Sequence, residues 1–300
     1  MSDYHLHLYP HQPSPKVPPT GAYPLDHIER YIEVAAARGV TEVAFTEHLF
    51  RCVESAGVLG PFWNQEADPA IRERTEASVG ADRILSLERY VDVVLRAKDA
   101  GLPALLGLEV DFFPETIDAV LEFLAPYPFD LLIGSVHWIG GWWFDRRHAF
   151  EEWERRGHRH VYEQYFALET LLAASGSVDV LAHIDRVKFL GHRLPEEPLE
   201  LYETLVTAAA ASGVAVELSS AGLRHPIEEL YPAPTLLEMC CDAGLDITFG
   251  SDAHRPDQAG WRTEVLRDVA VEAGFTHTAR FRARRRTLVP IEPTDSRPSN

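Results

Sequence analysis

Basic residues are scarce in this sequence: lysine and arginine together number 28 against 46 acidic residues, a formal net charge of −18. Such a surface repels phosphate backbones and anionic headgroups, so neither general nucleic-acid binding nor membrane-surface binding is expected. A small anion can still be held where metal ions make a pocket locally positive. Cysteine is rarer still, limited to Cys52, Cys240 and Cys241. An odd count with two adjacent members argues against a disulfide framework, since sequence neighbours rarely pair. Cys240 and Cys241 fall in an apolar helical stretch and read as small buried hydrophobes. No apolar run reaches the roughly 20 residues that a bilayer span needs. The opening residues Met1 to His5 lack the basic and apolar regions of a signal peptide. These features together lead to the expectation of a cytoplasmic protein.

What is present is a repeating pattern. The 300 residues are 46% hydrophobic and 25% charged, ordinary for a globular chain. Seven short apolar runs alternate with helical patterns. The strand runs are Asp3 to Leu8, Glu42 to Thr46, Ala104 to Val110, Asp130 to His137, Val178 to Ala182, Val214 to Leu218 and Asp246 to Gly250. Between them, apolar residues at helical spacing predict helices near residues 25–35 (stopped by Gly39), 85–100, 115–124, 161–172, 199–211 and 236–243, with another at 265–273. The stretch from Leu49 to Asp82 shows no clear element and reads as a partly ordered lid carrying Phe62 and Trp63. Strand–helix alternation implies a parallel sheet with right-handed crossovers, and seven units suit a closed or nearly closed α/β barrel. One domain over residues 1–289 and a disordered tail over 290–300 are expected.

Nearly every run ends in a residue able to hold a metal ion. In order these are His5 and His7, Glu47 and His48, Glu109 and Asp111, His137, His183, Glu217, then Asp252 and His254. In a parallel barrel the strand ends share one mouth. His5 and His7 lie two residues apart, on one face of a strand, and Asp252 and His254 repeat the offset. Taken singly, each has a bland reading: His137 or His183 as a hydrogen-bonded core histidine, Glu47 as a helix cap, Asp111 as an arginine's partner. Independent core histidines would not all choose strand ends, and the number of ligands exceeds what one ion needs. Two or three divalent ions are therefore expected, with Zn, Mn and Fe all suited to mixed imidazole and carboxylate ligands.

The motifs DYHLH, TEH, GLEVD, GSVH, AHID and GSDAH, in that order, resemble those of the polymerase and histidinol phosphatase (PHP) family. The segments KFLGHRLPEE, SSAGLRHP and LYPAP resemble its histidinol-phosphate phosphatase branch. The resemblance spans about Asp3 to Gly260. It implies a distorted (β/α)7 barrel with a trinuclear site that hydrolyses L-histidinol phosphate to L-histidinol and phosphate in histidine biosynthesis. Position by position, it implies a first ion on His5, His7, Glu109 and Asp252. By the same resemblance Glu109 would bridge to a second ion held by His137 and His183, and His48 and His254 would hold a third. The family's further histidine for that third site falls on Pro13 here, and His11 is the expected substitute. A second departure is Ser219, where relatives often have Asn.

The mechanism expected on this basis is attack of a metal-activated hydroxide on phosphorus, with Glu109, Asp252 and His254 at the reacting centre. Arg224 is the leading phosphate-binding candidate, with Lys188, His192 and Arg193 sharing that role. Glu217 is expected either to accept a substrate N–H or to brace Arg224. Asp185 and Glu47 are expected to orient ligands, and Trp138 and Trp142 to stack on imidazole or pack beneath the lid. The partner is thus a small phosphate monoester. The rival reading is a phosphoesterase of the same family acting on nucleotides or single-stranded 3′ ends. Only the five arginines within Arg280 to Arg286 favour nucleic acid, and that run reads as a solvated helix end.

Overall fold

Strand β1 (Ser2–Leu6) leads through a proline-rich loop into helix α1 (Leu25–Ala36) and strand β2 (Glu42–Phe45). Helices α2 (Ala56–Leu59), α3 (Pro69–Asp82) and α4 (Leu87–Asp99) precede strand β3 (Ala104–Asp111). Helix α5 (Ile117–Leu124), strand β4 (Leu131–Ser135) and a small hairpin of β5 (Trp138–Ile139) with β6 (Trp142–Trp143) follow. Next come α6 (Phe150–Arg156), α7 (His158–Ser175), β7 (Val180–Leu181), α8 (Leu199–Ser212) and β8 (Ala215–Ser219). The chain continues through α9 (Pro234–Asp242), β9 (Ile247–Gly250), α10 (Thr263–Glu272), β10 (His277–Arg282) and β11 (Arg285–Pro290). This computed structural model describes residues 1–146 and 149–291.

Seven strands form one parallel sheet in the order β1-β2-β3-β4-β7-β8-β9. The sheet curls until its edges meet. The His7 N–H donates to the Ala253 carbonyl at 2.7 Å, and Leu6 and Ala253 form a parallel bridge. Asp3 seals the seam by accepting from Ser251 N–H and Oγ–H at 2.9 and 2.6 Å and from Gly260 N–H at 2.7 Å. The expected seven-stranded barrel is thus present, distorted by a register shift in the β1–β2 pairing and a two-residue β7.

Amphipathic periodicity explains the outer layer. In α1 the buried residues are His27, Ile28, Tyr31 and Ala35, and in α4 they include Leu87, Tyr90, Val91, Val94 and Ala97. Both sets recur at three- and four-residue steps, the stripe a helix turns toward a sheet. Ser86 caps α4 by accepting the Arg89 N–H.

Two segments depart from expectation. Residues 49–82 are largely helical rather than a lid without elements, with three short 3₁₀ turns, α2 and the 14-residue α3. Asp68 caps α3, accepting the Ala70 N–H at 2.9 Å, and Pro69 occupies its first position. The arginine-rich run is not a helix end. It is the antiparallel hairpin β10–β11, whose turn residues Ala283 and Arg284 have φ of 47° and 62°. Ala279 and Phe281 enter the barrel floor among Tyr4, Ala44, Leu131, Ile133, Val180 and Ala215. Arg282 pairs with Glu42, Arg284 with Asp179 at 2.8 Å and Arg286 with Asp246 at 3.1 Å. Those acids stand at the N-terminal ends of barrel strands, so alternate arginines close the barrel on the side away from the ligand-bearing ends. The hairpin runs to Pro290, inside the tail expected to be disordered, and residues 292–300 lie outside the described residues. Cys52, Cys240 and Cys241 are free thiols, and among the described residues no helix is long and apolar enough to cross a membrane.

Candidate metal centre

Parallel strands deliver their C-terminal ends to one mouth, and the ligand-capable residues follow. His5 lies in β1 and His7 just beyond it. Glu47 and His48 follow β2, while Glu109 and Asp111 end β3. His137, His183 and Asp252 each sit two residues past the last residue of β4, β7 and β9. Tyr31 of α1 donates its hydroxyl to the His7 carbonyl at 2.5 Å, fixing that strand end from outside the barrel.

Glu109, fully buried, is the hub. Its Oε2 lies 2.6 Å from His48 Nδ1, 3.5 Å from His7 Nε2 and 3.6 Å from His5 Nε2. Its Oε1 lies 3.3 Å from His183 Nε2 and 3.7 Å from His137 Nε2. Asp252 Oδ1 faces His7, His254 and His5 at 3.3, 3.4 and 3.7 Å. Ligand atoms within 4.8 Å of one another form four overlapping sets: His5, His7 and Asp252; His5, Glu109 and His183; His48, Asp111 and His137; His7, His48 and His254. Every residue expected to bind metal except His11 belongs to these sets.

The donors fit cations rather than one another. Among the described residues, His48 Nδ1 and Nε2, Glu109 Oε2, Asp111 Oδ2 and His254 Nε2 are buried without a hydrogen-bond partner. Buried polar atoms ordinarily find partners, and leaving one unsatisfied costs about 1–3 kcal/mol. His48 Nδ1 and Glu109 Oε2 approach to 2.6 Å yet make no aligned hydrogen bond. An imidazole nitrogen and a carboxylate oxygen that approach without that bond suit two ligands of one cation. Burial holds the His48 and His254 imidazoles well below the usual histidine range, in the neutral form that coordinates. Burial opposes the charges of Glu109 and Asp252, but the surrounding imidazoles hold both carboxyls well below the usual range. Backbone strain marks the same place, with His183 at φ 30° and Asp252 at φ 49°.

Supporting carboxylates orient the imidazoles. Glu217 Oε1 takes His5 Nδ1 at 2.8 Å, and its Oε2 accepts the His183 N–H at 2.8 Å. Asp111 binds His137 Nδ1 at 2.6 Å, and burial pushes its carboxyl up to about 6. Glu47 lies 3.5 Å from His7 Nδ1. Gly250 is required beside Glu217, since a Cβ there would stand 1.8 Å from Glu217 Oε1.

A cleft of about 260 Å³ opens over these donors, lined among others by His11, His48, Phe50, Trp143, Arg186, Phe189, Arg224 and His225. Arg224 donates to the Ser251 and Asp252 carbonyls at 2.6 and 3.0 Å, and among the described residues its Nη1 has no partner. It does not pair with Glu228. Arg186 reaches Asp145 at 2.7 Å and Asp252 at 3.4 Å. Sequence reasoning missed Arg186, Arg146, Asp145 and His225. Arg186 follows the AHID motif directly, a positional signal that would have found it.

Other candidates are placed elsewhere. Lys188 is buried against Asp185 at 2.7 Å and Glu229 at 3.0 Å, outside the cleft lining. Arg193 pairs with the same Glu229 at 3.0 Å. His192 stacks on Trp153 with ring centres 4.4 Å apart. Glu217 braces His5 and His183 rather than Arg224. Asp185 holds Lys188 and the Ala233 N–H, not a ligand. Trp138 packs on Trp143 and Phe50 and Trp142 on Trp153, so the indole at the cleft is Trp143. His11 does line the cleft, its ring 5.3 Å from those of both His48 and His254.

Comparison with known proteins agrees with this geometry. The PHP domain model matches residues 25–221. A probable histidinol-phosphatase of Deinococcus radiodurans is 36% identical over 178 residues, 59% of this chain and 68% of that protein. A histidinol-phosphatase of Lactococcus lactis is 23% identical over 294 residues, 93% of each chain. The crystal structure of histidinol phosphate phosphatase from Lactococcus lactis, complexed with zinc, L-histidinol and phosphate, superposes with a TM-score of 0.71 at 21% identity. That match covers 95% of this chain and 98% of the other, and shows a shared fold. With the motif order, the barrel and the matched segment in agreement, the chain belongs to the PHP domain family.

Proposed function

We propose that this protein is a metal-dependent phosphomonoesterase that hydrolyses L-histidinol phosphate to L-histidinol and phosphate. The observation that carries the reading is the set of buried donors around Glu109, unpartnered among the described residues, beneath a cleft lined by Arg224 and Arg186. The relatives named histidinol-phosphatase supply the substrate.

Three sites are proposed: His5, His7, Glu109 and Asp252; Glu109 with His137 and His183; and His48, His254 and His11. Divalent cations held there supply a water nucleophile at neutral pH and neutralise charge developing at phosphorus. The chain's own groups do the rest. Arg224, which lines the cleft and is anchored on the Ser251 and Asp252 carbonyls, offers its guanidinium to phosphate oxygens, and Arg186 adds a second planar donor. Phe50, Trp143 and Phe189 give the cleft apolar walls against which an imidazole ring packs. Asp145 offers a carboxylate for the substrate's ammonium. Arg186 beside it holds that carboxyl below the usual range despite burial.

Within the alternative of nucleotides or single-stranded 3′ ends, the arginine run was the one feature favouring nucleic acid. Its Arg282, Arg284 and Arg286 are paired with acids at the barrel's other end. Phosphate release from L-histidinol phosphate, nucleoside monophosphates and 3′-ended oligonucleotides, each with and without a chelator, tests the proposal. Chelator-sensitive turnover that prefers histidinol phosphate at least tenfold supports it. Preference for a nucleotide, or turnover indifferent to chelation, overturns it.

A further inference from the structure

His48 and His254 share a site with His7, whose Nε2 also faces Glu109 and Asp252. Among the described residues, that pair meets one further imidazole common to both on the cleft side. His11 stands there, at equal ring distance from both. Its backbone and ring are fixed separately. Arg51, buried, donates to the carbonyls of Tyr9 and Pro10 at 2.6 and 3.1 Å, holding the two residues before His11. Asp82, the last residue of α3, holds His11 Nδ1 at 2.9 Å. Arg146 in turn donates to Asp82 at 3.2 Å and lies 3.5 Å over the Trp143 ring.

This is not an exposed ion pair, because the His11 and Asp82 side chains are only 24% and 13% exposed. A carboxylate that accepts from Nδ1–H fixes the tautomer, leaves the lone pair on Nε2 and raises its basicity, as metal-ligating imidazoles require. Among the described residues, no hydrogen bond involves His11 Nε2. The helical segment 49–82 thereby gains a role other than closure, since its last helix delivers the carboxylate.

We propose that Asp82 is a positioning residue that fixes His11 as the third imidazole of the His48–His254 site, with Arg146 holding Asp82 in place. The inference rests on the metal-dependent reading above. Its test uses the full chain loaded with Zn²⁺. Zinc per chain is measured by mass spectrometry, and release by transfer to a colorimetric chelator, for wild type, H11A, D82A and D82N. We expect H11A and D82A each to retain one ion fewer than wild type, or to release one ion about 10–100-fold faster. D82N, which keeps an acceptor oxygen and the side-chain volume, returns most of that ion. Wild-type content and release in D82A overturn the proposal, as does a D82N as deficient as D82A, which signals a general structural role. A wild type that binds no zinc overturns the metal reading itself. A zinc-loaded wild type with an indistinguishable H11A overturns only the present inference.

Discussion

Replacing Gly250 by alanine would put a methyl group where the Glu217 carboxylate already stands. The added Cβ would lie 1.8 Å from Glu217 Oε1, 2.8 Å from its Cδ and 2.9 Å from His5 Cβ. A flexible carboxylate end can usually swing away at little cost. Here it cannot, because one oxygen holds His5 Nδ1 and the other the His183 N–H, both at 2.8 Å. His5 Cβ is fixed on a barrel strand. The steric cost is therefore that of overpacking a filled interior, about 1–3 kcal/mol. The functional cost is that of losing a carboxylate that orients a ligand, about 10–100-fold in metal affinity or turnover. Gly80 in α3 is the control, since nothing lies within 4 Å of its added Cβ. G80A should gain about 0.5–1 kcal/mol of stability and keep full activity. Phosphate release, zinc content and thermal melting of both variants decide the matter. A G250A protein with wild-type zinc content and turnover would refute the claim that Glu217 is held in place for His5.

Arg224→Ala should raise KM for histidinol phosphate at least tenfold, whereas Arg193→Ala, outside the cleft, should leave kinetics within about twofold; equal effects would discredit the assignment of the cleft. Phe281→Ala should cost about 3–5 kcal/mol in chemical denaturation with little change in KM, because Phe281 fills the barrel floor remote from the donors. Glu169 is fully buried, and burial, with the Asp185 charge adding, holds its carboxyl well above the usual glutamate range. A raised carboxyl means that the folded state binds the extra proton. The stabilisation is full below the unfolded value of about 4.3 and is lost as pH rises toward the folded value. Glu169→Gln should therefore gain stability relative to wild type more at pH 8 than at pH 5. A constant difference in melting temperature would mean that the carboxyl is ionised in the fold.

The barrel and most of the donors were legible because both write themselves locally. Each strand is an apolar run, and each donor follows within a few residues, so topology alone collects His5, Glu109, His183 and Asp252 at one mouth. The supporting groups carry the same mark without their role. Glu217 ends a strand as the ligands do, and nothing in the sequence says that it braces His5 and His183 instead of holding an ion. His192 misled because it follows a strand yet turns onto Trp153. The hairpin was missed because its turn uses Ala283 and Arg284 at positive φ, where Gly or Asn would have announced it. Hydrogen bonds from the Ala283 and Arg284 N–H groups to Asp130 at 3.3 and 2.8 Å hold that turn. Helix α3 hid because its buried line is Ile71, Thr75, Val79 and Asp82, half of it polar. Its Asp68-Pro69 start was nevertheless a readable cap.

The convergence of donors from six of the seven strand ends onto several cations is tested most directly by anomalous X-ray scattering from crystals of the metal-loaded protein. Peaks among Glu109, Asp252 and the imidazoles of His5, His7, His48, His137, His183 and His254 are the predicted result. A well-ordered barrel with no anomalous signal at Glu109, from a protein that still releases phosphate, would contradict the account.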